Sequence, residues 1–177
     1  MRRILVTGNA GSGKSTLAAR LGALLGLEVV GLDRVVWRPG WRKTPPEERR
    51  AAEQEIAVKP AWVVDGVSRT LMDAAEVVIF LDLGRARCLW RCMRRNAPYL
   101  LRSRPGLPEG CPELLILPTL LRLIWRFPAQ TRPWILAARQ APRPGQTFHH
   151  VRSSQELQAL IAAVEGGGAL ALLHARR

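Results

Sequence analysis

Short apolar runs, each ending near a glycine or an aspartate, alternate with amphipathic stretches along the chain. The runs are rich in valine, isoleucine and leucine, which is typical of buried parallel strands, and they cover 4–7, 29–32, 62–64 and 77–83. Between them, apolar residues recur at helical spacing, as Leu17, Leu21 and Leu24 do. The alternation predicts an α/β fold with a parallel sheet of about five strands and helices on both faces.

Prolines punctuate the region that follows, which we interpret as a lid or helical insertion at about 96–142. An irregular, mobile segment is expected where four prolines fall between residues 98 and 112. Two or three short helices are predicted over 113–140, with breaks at Pro118, Pro128 and Pro133.

A last strand and a last helix are predicted near the end of the sequence. The strand covers 147–151, and Ser153 and Glu156 have the spacing of a capping box ahead of an apolar helical stretch. We interpret the whole chain, 1–177, as a single domain.

One motif determines the class of this domain. Residues 8–15 read GNAGSGKS and fit the phosphate-binding pattern G-x-x-x-x-G-K-[ST], between a predicted strand and a predicted helix. Glycines allow backbone N–H groups to turn onto phosphate oxygens, while Lys14 supplies an ammonium and Ser15 a hydroxyl ligand for Mg²⁺. The fold is therefore predicted to be the three-layer fold of P-loop NTPases. The predicted nucleotide-binding residues are Gly8, Asn9, Ala10, Gly11, Ser12, Gly13, Lys14, Ser15 and Thr16.

Two aspartates follow predicted strands, Asp33 after the second and Asp65 after the third. Both are expected at the carboxyl edge of the sheet, where α/β proteins bind ligands. A carboxylate there can orient the water shell of Mg²⁺ or accept a proton from an acceptor hydroxyl. We assign the metal site to Ser15 and Asp65 and the base to Asp33; either aspartate can instead cap a turn.

Residues 65–70, DGVSRT, resemble the Asp-Gly-Phe-Pro-Arg-Thr segment of adenylate-kinase-like nucleoside monophosphate kinases. A closer resemblance covers most of the chain, to the adenylate-kinase-like P-loop proteins of the DNA topology modulation (FlaR-type) family. It is carried by GNAGSGKSTLA, LDRVVWRPGW, WVVDG, VVIFLDLGRARCLWRCMRR, RPGLPEGCPE and LLRLIWRF. That family usually has Asp-Gly-Asn-Tyr where this chain has Val67 and Ser68 after Gly66. The resemblances imply ATP rather than GTP, with Asp65 at the Mg²⁺ site and Arg69 on an acceptor phosphate.

Seven arginines and no acidic residue lie between residues 84 and 104. In kinases that resemble this chain, arginines at the start of the lid stack on the adenine and close over the transferred phosphoryl group. Arg91 and Arg95 share a helical face and are assigned this catalytic role, Arg91 also contacting the nucleotide, with Arg94 the next candidate. The alternative is a solvated basic helix face.

Trp37 and Trp41 follow Asp33 closely, at the edge where related kinases receive the phosphoryl acceptor. They are predicted to bind substrate together with Asp33 and Arg69, or else to form a local hydrophobic clasp. His149 and His150 are assigned a structural role because no catalytic partners are recognisable in the sequence.

The formal net charge of +13 predicts affinity for polyanions but does not by itself identify a nucleic-acid site. The three cysteines, Cys88, Cys92 and Cys111, are expected to be reduced thiols. No signal-peptide core and no apolar stretch of membrane-spanning length is present, so a cytoplasmic location without a membrane partner is expected.

The sequence therefore predicts a P-loop phosphotransferase that moves the γ-phosphoryl group of ATP, with Mg²⁺, to a small nucleotide- or nucleoside-like acceptor. The alternative is a nucleotide-binding regulatory protein that modulates DNA topology or DNA binding without kinase activity. A third possibility is a kinase of nucleosides or RNA ends. The acceptor and the oligomeric state are left open.

Overall fold

A parallel sheet of five strands forms the centre of the computed structural model, which describes residues 2–101 and 110–167. In chain order the elements are β1 (Arg3–Gly8), α1 (Lys14–Leu25), β2 (Val29–Gly31), α2 (Asp33–Val36), β3 (Trp37–Arg38), β4 (Arg42–Lys43), α3 (Pro46–Val58), β5 (Trp62–Asp65), α4 (Arg69–Ala74), β6 (Val77–Leu81), α5 (Arg85–Asn96), α6 (Glu113–Gln130), α7 (Arg132–Gln140), β7 (Thr147–Val151) and α8 (Ser154–Gly167).

The strand order across the sheet is β2-β5-β1-β6-β7, with every pair parallel. Side chains alternate between the two faces, because successive residues of a strand point in opposite directions. Ile4 and Val6 of β1 pack with α1 and α8, whereas Leu5 packs with α3, α4 and α7. The predicted parallel sheet of about five strands with helices on both faces is confirmed.

The carboxyl ends of the strands bring the candidate polar residues to one edge. Gly8 at the end of β1 pairs with Leu81 of β6, and Asp65 at the end of β5 pairs with Val6 of β1 and with Gly31 of β2. Asp33 begins α2 just after β2. The motif at residues 8–15, here named the phosphate loop, and both aspartates therefore lie along the same edge of the sheet.

The predicted helix breaks at Pro118 and Pro128 are wrong, because both prolines lie inside the single helix α6. A proline in a helix removes one backbone hydrogen bond. Ile116, Ile124 and Phe127, buried along one face of α6, supply apolar packing that offsets this loss. The third predicted break is confirmed, since Pro133 lies in the first turn of α7.

Two local features lie outside the main sheet. The segment that begins at Asp33 contains α2 and the two-stranded hairpin β3–β4. Ser153 Oγ accepts a hydrogen bond from the Glu156 N–H, as in a capping box, but the Glu156 carboxylate accepts one from the N–H of Arg152 rather than of Ser153. Part of the expected mobile segment at 98–112 lies outside the described residues.

Within 2–101 and 110–167, no helix is long and apolar enough to cross a membrane.

Candidate active site

The phosphate loop is packed so closely that two of its glycines cannot be replaced without a shift of neighbouring atoms. A Cβ added to Gly11 would lie 2.2 Å from the carbonyl oxygen of Cys88, and one added to Gly8 would lie 2.5 Å from that of Leu81. Both glycines also have positive φ angles, 77° at Gly11 and 148° at Gly8. The loop is therefore fixed between the end of β6 and the start of α5.

Asn9 connects this loop to α6. Its side-chain amide donates to the carbonyl of Ile124 at 3.0 Å, and its Oδ1 accepts from the N–H of Ala10 at 2.8 Å. Its backbone carbonyl accepts from the ammonium of Lys14 at 2.9 Å. The phosphate loop and the long helix of the predicted lid region are thus joined by a buried hydrogen bond.

Lys14 supplies the ammonium of the phosphate loop, and charged side chains of other elements act on it. Burial lowers the pKa of its ammonium, while Asp65 and Asp33 act to raise it and Arg95 to lower it. Asp65 is buried at 8% exposure, whereas Asp33 is open to solvent. The ammonium of the loop therefore shares the tryptophan cleft, described next, with both carboxylates singled out in the sequence.

Two clefts meet at the phosphate loop. The first, here named the tryptophan cleft, has a volume of about 350 Å³ and includes Asp33, Asp65, Trp37, Trp41 and Arg95 in its lining. Such a volume is within the range of small-molecule sites. Sequence reasoning missed other side chains of its lining, which share no local motif: Val36, Arg49, Val67, Glu113, Leu120, Leu123, Phe127, Gln130 and Thr131.

The second, here named the arginine cleft, has a volume of about 460 Å³ and lies between α1, α5 and α8. Arg20, Arg91 and Arg95 line it with Gly13 and Thr16. Leu157, Gln158 and Ile161 of α8 complete its wall. Gly11, Lys14, Ser15 and Arg95 belong to both clefts.

The arginines of α5 point in different directions. Arg91 and Arg95, the two assigned a catalytic role, both reach the clefts at the phosphate loop. Arg94 instead packs over the exposed ring of Trp90, with its guanidinium carbon 5.3 Å from the ring centroid. Arg87 donates to the hydroxyl of Ser154 at 3.1 Å. The basic stretch is thus divided between the clefts and the surface.

Trp37 and Trp41 form a pair with their ring centroids 5.3 Å apart in an edge-to-face arrangement. The indole N–H of Trp41 donates to the carbonyl of Pro112 at 2.8 Å, which joins the hairpin to the beginning of α6. Both rings also line the tryptophan cleft. The two rings therefore make local hydrophobic contacts with each other and also form part of the wall of the tryptophan cleft.

Arg69, the residue expected on an acceptor phosphate, is not among the lining residues of either cleft. Its side chain is exposed and its guanidinium carbon lies 5.0 Å from the ring centroid of Trp134. This geometry is that of a cation–π contact. Sequence resemblance alone could not distinguish this orientation from one toward the site.

A charged cluster ties α7 to the sheet. Arg132 Nε donates a hydrogen bond to the carboxylate of Asp82 at 3.0 Å. His150 Nε2 forms a second hydrogen bond with the same carboxylate at 2.8 Å. Burial acts to raise the pKa of Asp82, but the hydrogen bonds from Arg132 and His150 outweigh it and hold that pKa below its usual value. His150 also stacks on Phe80, with ring centroids 5.2 Å apart.

The donor groups of the loop suit a nucleoside triphosphate with Mg²⁺. Gly13, at φ 99°, leaves the loop open on the arginine cleft, where an added Cβ would meet only Arg91 Nη1 at 3.7 Å. Within the described residues, no group of three or more His, Cys, Asp or Glu could hold a metal by itself. Mg²⁺ on phosphates needs only one or two protein ligands, and Ser15 and Asp65 both line the tryptophan cleft.

No family model and no curated protein matches the chain. Solved structures do match it. A gluconokinase from Sinorhizobium meliloti 1021 superposes with a TM-score of 0.50 at 17% identity, over 97% of this chain and 93% of the gluconokinase. Shikimate kinase from Acinetobacter baumannii, in complex with shikimate, gives 0.50 at 16% identity, over 94% of this chain and 95% of that one. The chain has the fold of P-loop kinases. At these identities the likeness establishes the fold alone.

Proposed function

We propose that this protein is a Mg²⁺-dependent kinase that transfers the γ-phosphoryl group of ATP to a small acceptor. The observation that carries the proposal is the position of Lys14, which lies where the two clefts meet and lines the tryptophan cleft together with Asp65 and Asp33. A phosphoryl group must pass between a donor and an acceptor held on either side of one cationic centre. The two clefts provide such a pair of sites.

In this proposal the nucleotide occupies the phosphate loop and the arginine cleft. The loop N–H groups and Lys14 hold the phosphates, and Arg91 and Arg95 neutralise charge on the group in transfer. Ser15 and Asp65 would hold Mg²⁺, which would supply further charge neutralisation at the phosphates. Leu157 and Ile161 give the same cleft an apolar wall that suits a base.

The acceptor then occupies the tryptophan cleft. Its hydroxyl is oriented toward the phosphate loop by Asp33, whose carboxylate accepts the proton that the hydroxyl loses. Trp37 and Trp41 pack against the apolar or ring portion of the acceptor. Arg69 reaches this site only if its side chain leaves Trp134.

The deciding experiment measures transfer from γ-labelled ATP to nucleosides, nucleoside monophosphates, sugar acids, polyols and shikimate. Lys14→Ala is expected to lower the transfer rate at least a hundredfold, because it removes the ammonium that faces the phosphates. The matched control is Lys59→Ala, since Lys59 pairs with Glu28 and lines neither cleft. Transfer that survives in Lys14→Ala would contradict the proposal.

A second candidate function is a nucleotide-dependent regulator that binds nucleic acid. The observation in its favour is a pair of exposed tryptophans that are each covered by an arginine: Arg94 lies over Trp90 and Arg85 over Trp125. Aromatic and arginine side chains are the groups on which single-stranded bases stack. Slow hydrolysis without transfer, together with ATP-dependent and salt-sensitive DNA binding, would favour this candidate over the kinase.

A further inference from the structure

Arg49 of α3 places a positive charge in the wall of the tryptophan cleft. Lys14 and Arg95, the other lysine or arginine residues of that lining, also belong to the arginine cleft and so lie at the phosphate loop. Arg49 lines the tryptophan cleft and not the arginine cleft. The charge of Arg49 therefore belongs to the tryptophan cleft alone.

The guanidinium of Arg49 is held by Glu53, which lies outside the cleft lining, and by the backbone of Val67, which belongs to it. Its Nε donates to Glu53 at 2.7 Å and its Nη2 donates to the carbonyl of Val67 at 3.4 Å. Glu53 is itself buried and accepts a hydrogen bond from the hydroxyl of Ser68 at 2.6 Å. The Ser68 hydroxyl in turn accepts from the Leu71 N–H at the start of α4, so its orientation is fixed by a helix cap.

This network leaves part of the guanidinium for a ligand. A guanidinium carries five N–H donors in a planar fork. Glu53 and Val67 receive two of these donors in the part of the chain that the structure describes. The side chain is 38% exposed, although its carboxylate partner Glu53 is only 7% exposed. An oriented fork that keeps donors at a cleft surface suits the bidentate recognition of a carboxylate or phosphate.

The remaining lining limits how much negative charge the occupant can carry. Asp33, Asp65 and Glu113 line the same cleft and equal its lysine and arginine side chains in number, so a ligand with several anionic groups would meet carboxylates as well as cations. The apolar surface between these groups comes from Leu32, Val36, Trp37, Val67 and Phe127. The cleft therefore matches a molecule with one anionic group, an apolar or ring body, and a hydroxyl.

We propose that Arg49 is the anion-binding residue of the acceptor site, held in place by Glu53 and Ser68, and that the acceptor is a hydroxyl compound with a single carboxylate or phosphate. This inference rests on the proposed kinase function, because it assigns the tryptophan cleft to the acceptor. It differs from the role that sequence resemblance gives to Arg69, which lies over Trp134.

The test is calorimetric binding to the protein saturated with Mg²⁺ and a non-hydrolysable ATP analogue, so that no transfer is needed. The probes are three pairs that differ at the anionic group: shikimate and its methyl ester, D-gluconate and D-glucitol, and AMP and adenosine. In at least one pair the anionic member is expected to bind about tenfold to a hundredfold more tightly, as one charge-assisted hydrogen-bonding group allows. Carboxylate and phosphate pairs distinguish the two kinds of anion.

The variants separate a direct contact from a structural role. Arg49→Gln is expected to remove the preference for the anionic member while leaving affinity for the neutral member within about threefold; Arg49→Lys should restore part of it. Glu53→Gln should weaken the preference less than Arg49→Gln does. The matched control is Arg50→Gln, the exposed neighbour on α3, which should change nothing. Circular dichroism checks that each variant is folded.

Two results would overturn the inference: no pair shows an anionic preference in the unmodified protein, or the preference persists in Arg49→Gln. The outcomes also separate this inference from the kinase proposal. Anion binding through Arg49 without phosphoryl transfer to any acceptor would support the role of Arg49 and contradict the kinase proposal. Transfer to neutral acceptors, with no preference for the anionic probes, would support the kinase proposal and contradict the role of Arg49.

Discussion

The arginine cleft and the tryptophan cleft share the phosphate loop but are built in different ways. The arginine cleft is formed largely by one continuous segment, the loop and α1, with side chains added from α5 and α8. The tryptophan cleft also receives side chains from α2, α3, α6 and the loop after β5. Its Trp41 and Glu113 are 72 positions apart in the chain.

This difference shows why one half of the site is easier to recognise than the other. The half that carries the phosphate-loop motif presents backbone N–H groups, whose positions depend on glycines at fixed spacing. The other half uses side chains whose neighbours are set by helix packing, as when Trp41 bonds to Pro112 and Asn9 to Ile124. Substitutions in each half can therefore test whether the two clefts have separate roles.

The largest effect is expected from Asp33→Asn, which removes the assigned base from the tryptophan cleft alone. Transfer should fall by about 10²–10⁴-fold, the usual contribution of general acid–base catalysis. Affinity for ATP should be unchanged, because Asp33 does not line the arginine cleft. Rapid-quench transfer assays and nucleotide titration measure the two quantities.

The control for that change is Asp73→Asn, since Asp73 is exposed and pairs with Arg143 on the surface. Equal losses in the two variants, or a parallel loss of ATP affinity in Asp33→Asn, would contradict the separation of roles.

A second comparison concerns the packing of the phosphate loop. Gly11→Ala should lower the free energy of unfolding by more than Gly40→Ala, and should also weaken ATP binding. Both glycines have similar positive φ angles, 77° and 73°, so both variants incur about 1 kcal/mol of backbone strain. Only at Gly11 does the new Cβ meet a backbone carbonyl, that of Cys88, while Gly40 has nothing within 4 Å. Urea unfolding of both variants isolates the effect of this contact.

If Gly11→Ala and Gly40→Ala lower the free energy of unfolding equally, backbone strain alone accounts for the effect of replacing Gly11. The close approach of the loop to α5 would then have no energetic role.

A smaller effect, on stability and its pH dependence, is expected from Asp82→Asn at the junction of β6, α7 and β7. The loss at neutral pH should be about 1–3 kcal/mol, because Arg132 and His150 lose a charged partner. The folded-state pKa of Asp82 is lowered, so its stabilising contribution is fully present above the ordinary pKa of an aspartate. It is lost as the pH falls through the lowered value. Urea unfolding between neutral and acidic pH should show a smaller acid-dependent loss in the variant than in the unmodified protein.

The reference for this measurement is Asp73→Asn, whose carboxylate forms an exposed ion pair. An identical acid-dependent loss in Asp82→Asn and in the unmodified protein would exclude Asp82 as its source.

The smallest effect is expected from Arg69→Gln. Its guanidinium lies over Trp134 and outside the lining of both clefts, so transfer rates and acceptor KM should change by less than about threefold. Steady-state kinetics with the best acceptor of the panel provide the test. A rise in acceptor KM as large as that of Arg49→Gln would show that Arg69 leaves Trp134 to bind the acceptor.

Several outcomes could be anticipated from local sequence. The strands were recognisable because buried parallel strands are nearly continuous apolar runs, as Val77–Leu81 is. The break at Pro133 was recognisable because proline suits a first helical turn. Pro118 and Pro128 misled the prediction because burial of Ile116, Ile124 and Phe127 maintains α6 across them. Propensity is a local quantity, whereas this burial depends on the rest of the fold.

The sequence by itself determined the sheet, the phosphate loop and the positions of Asp33 and Asp65 at one edge. These features depend on residues close together in the chain, through backbone conformation and strand direction. Only the tertiary structure decided which arginines reach the clefts: Arg91 and Arg95 do, Arg94 and Arg69 cover tryptophans, and Arg49 lines the tryptophan cleft. The physical reason is that an arginine side chain is long and flexible, so the packing of neighbouring helices determines where its charge lies.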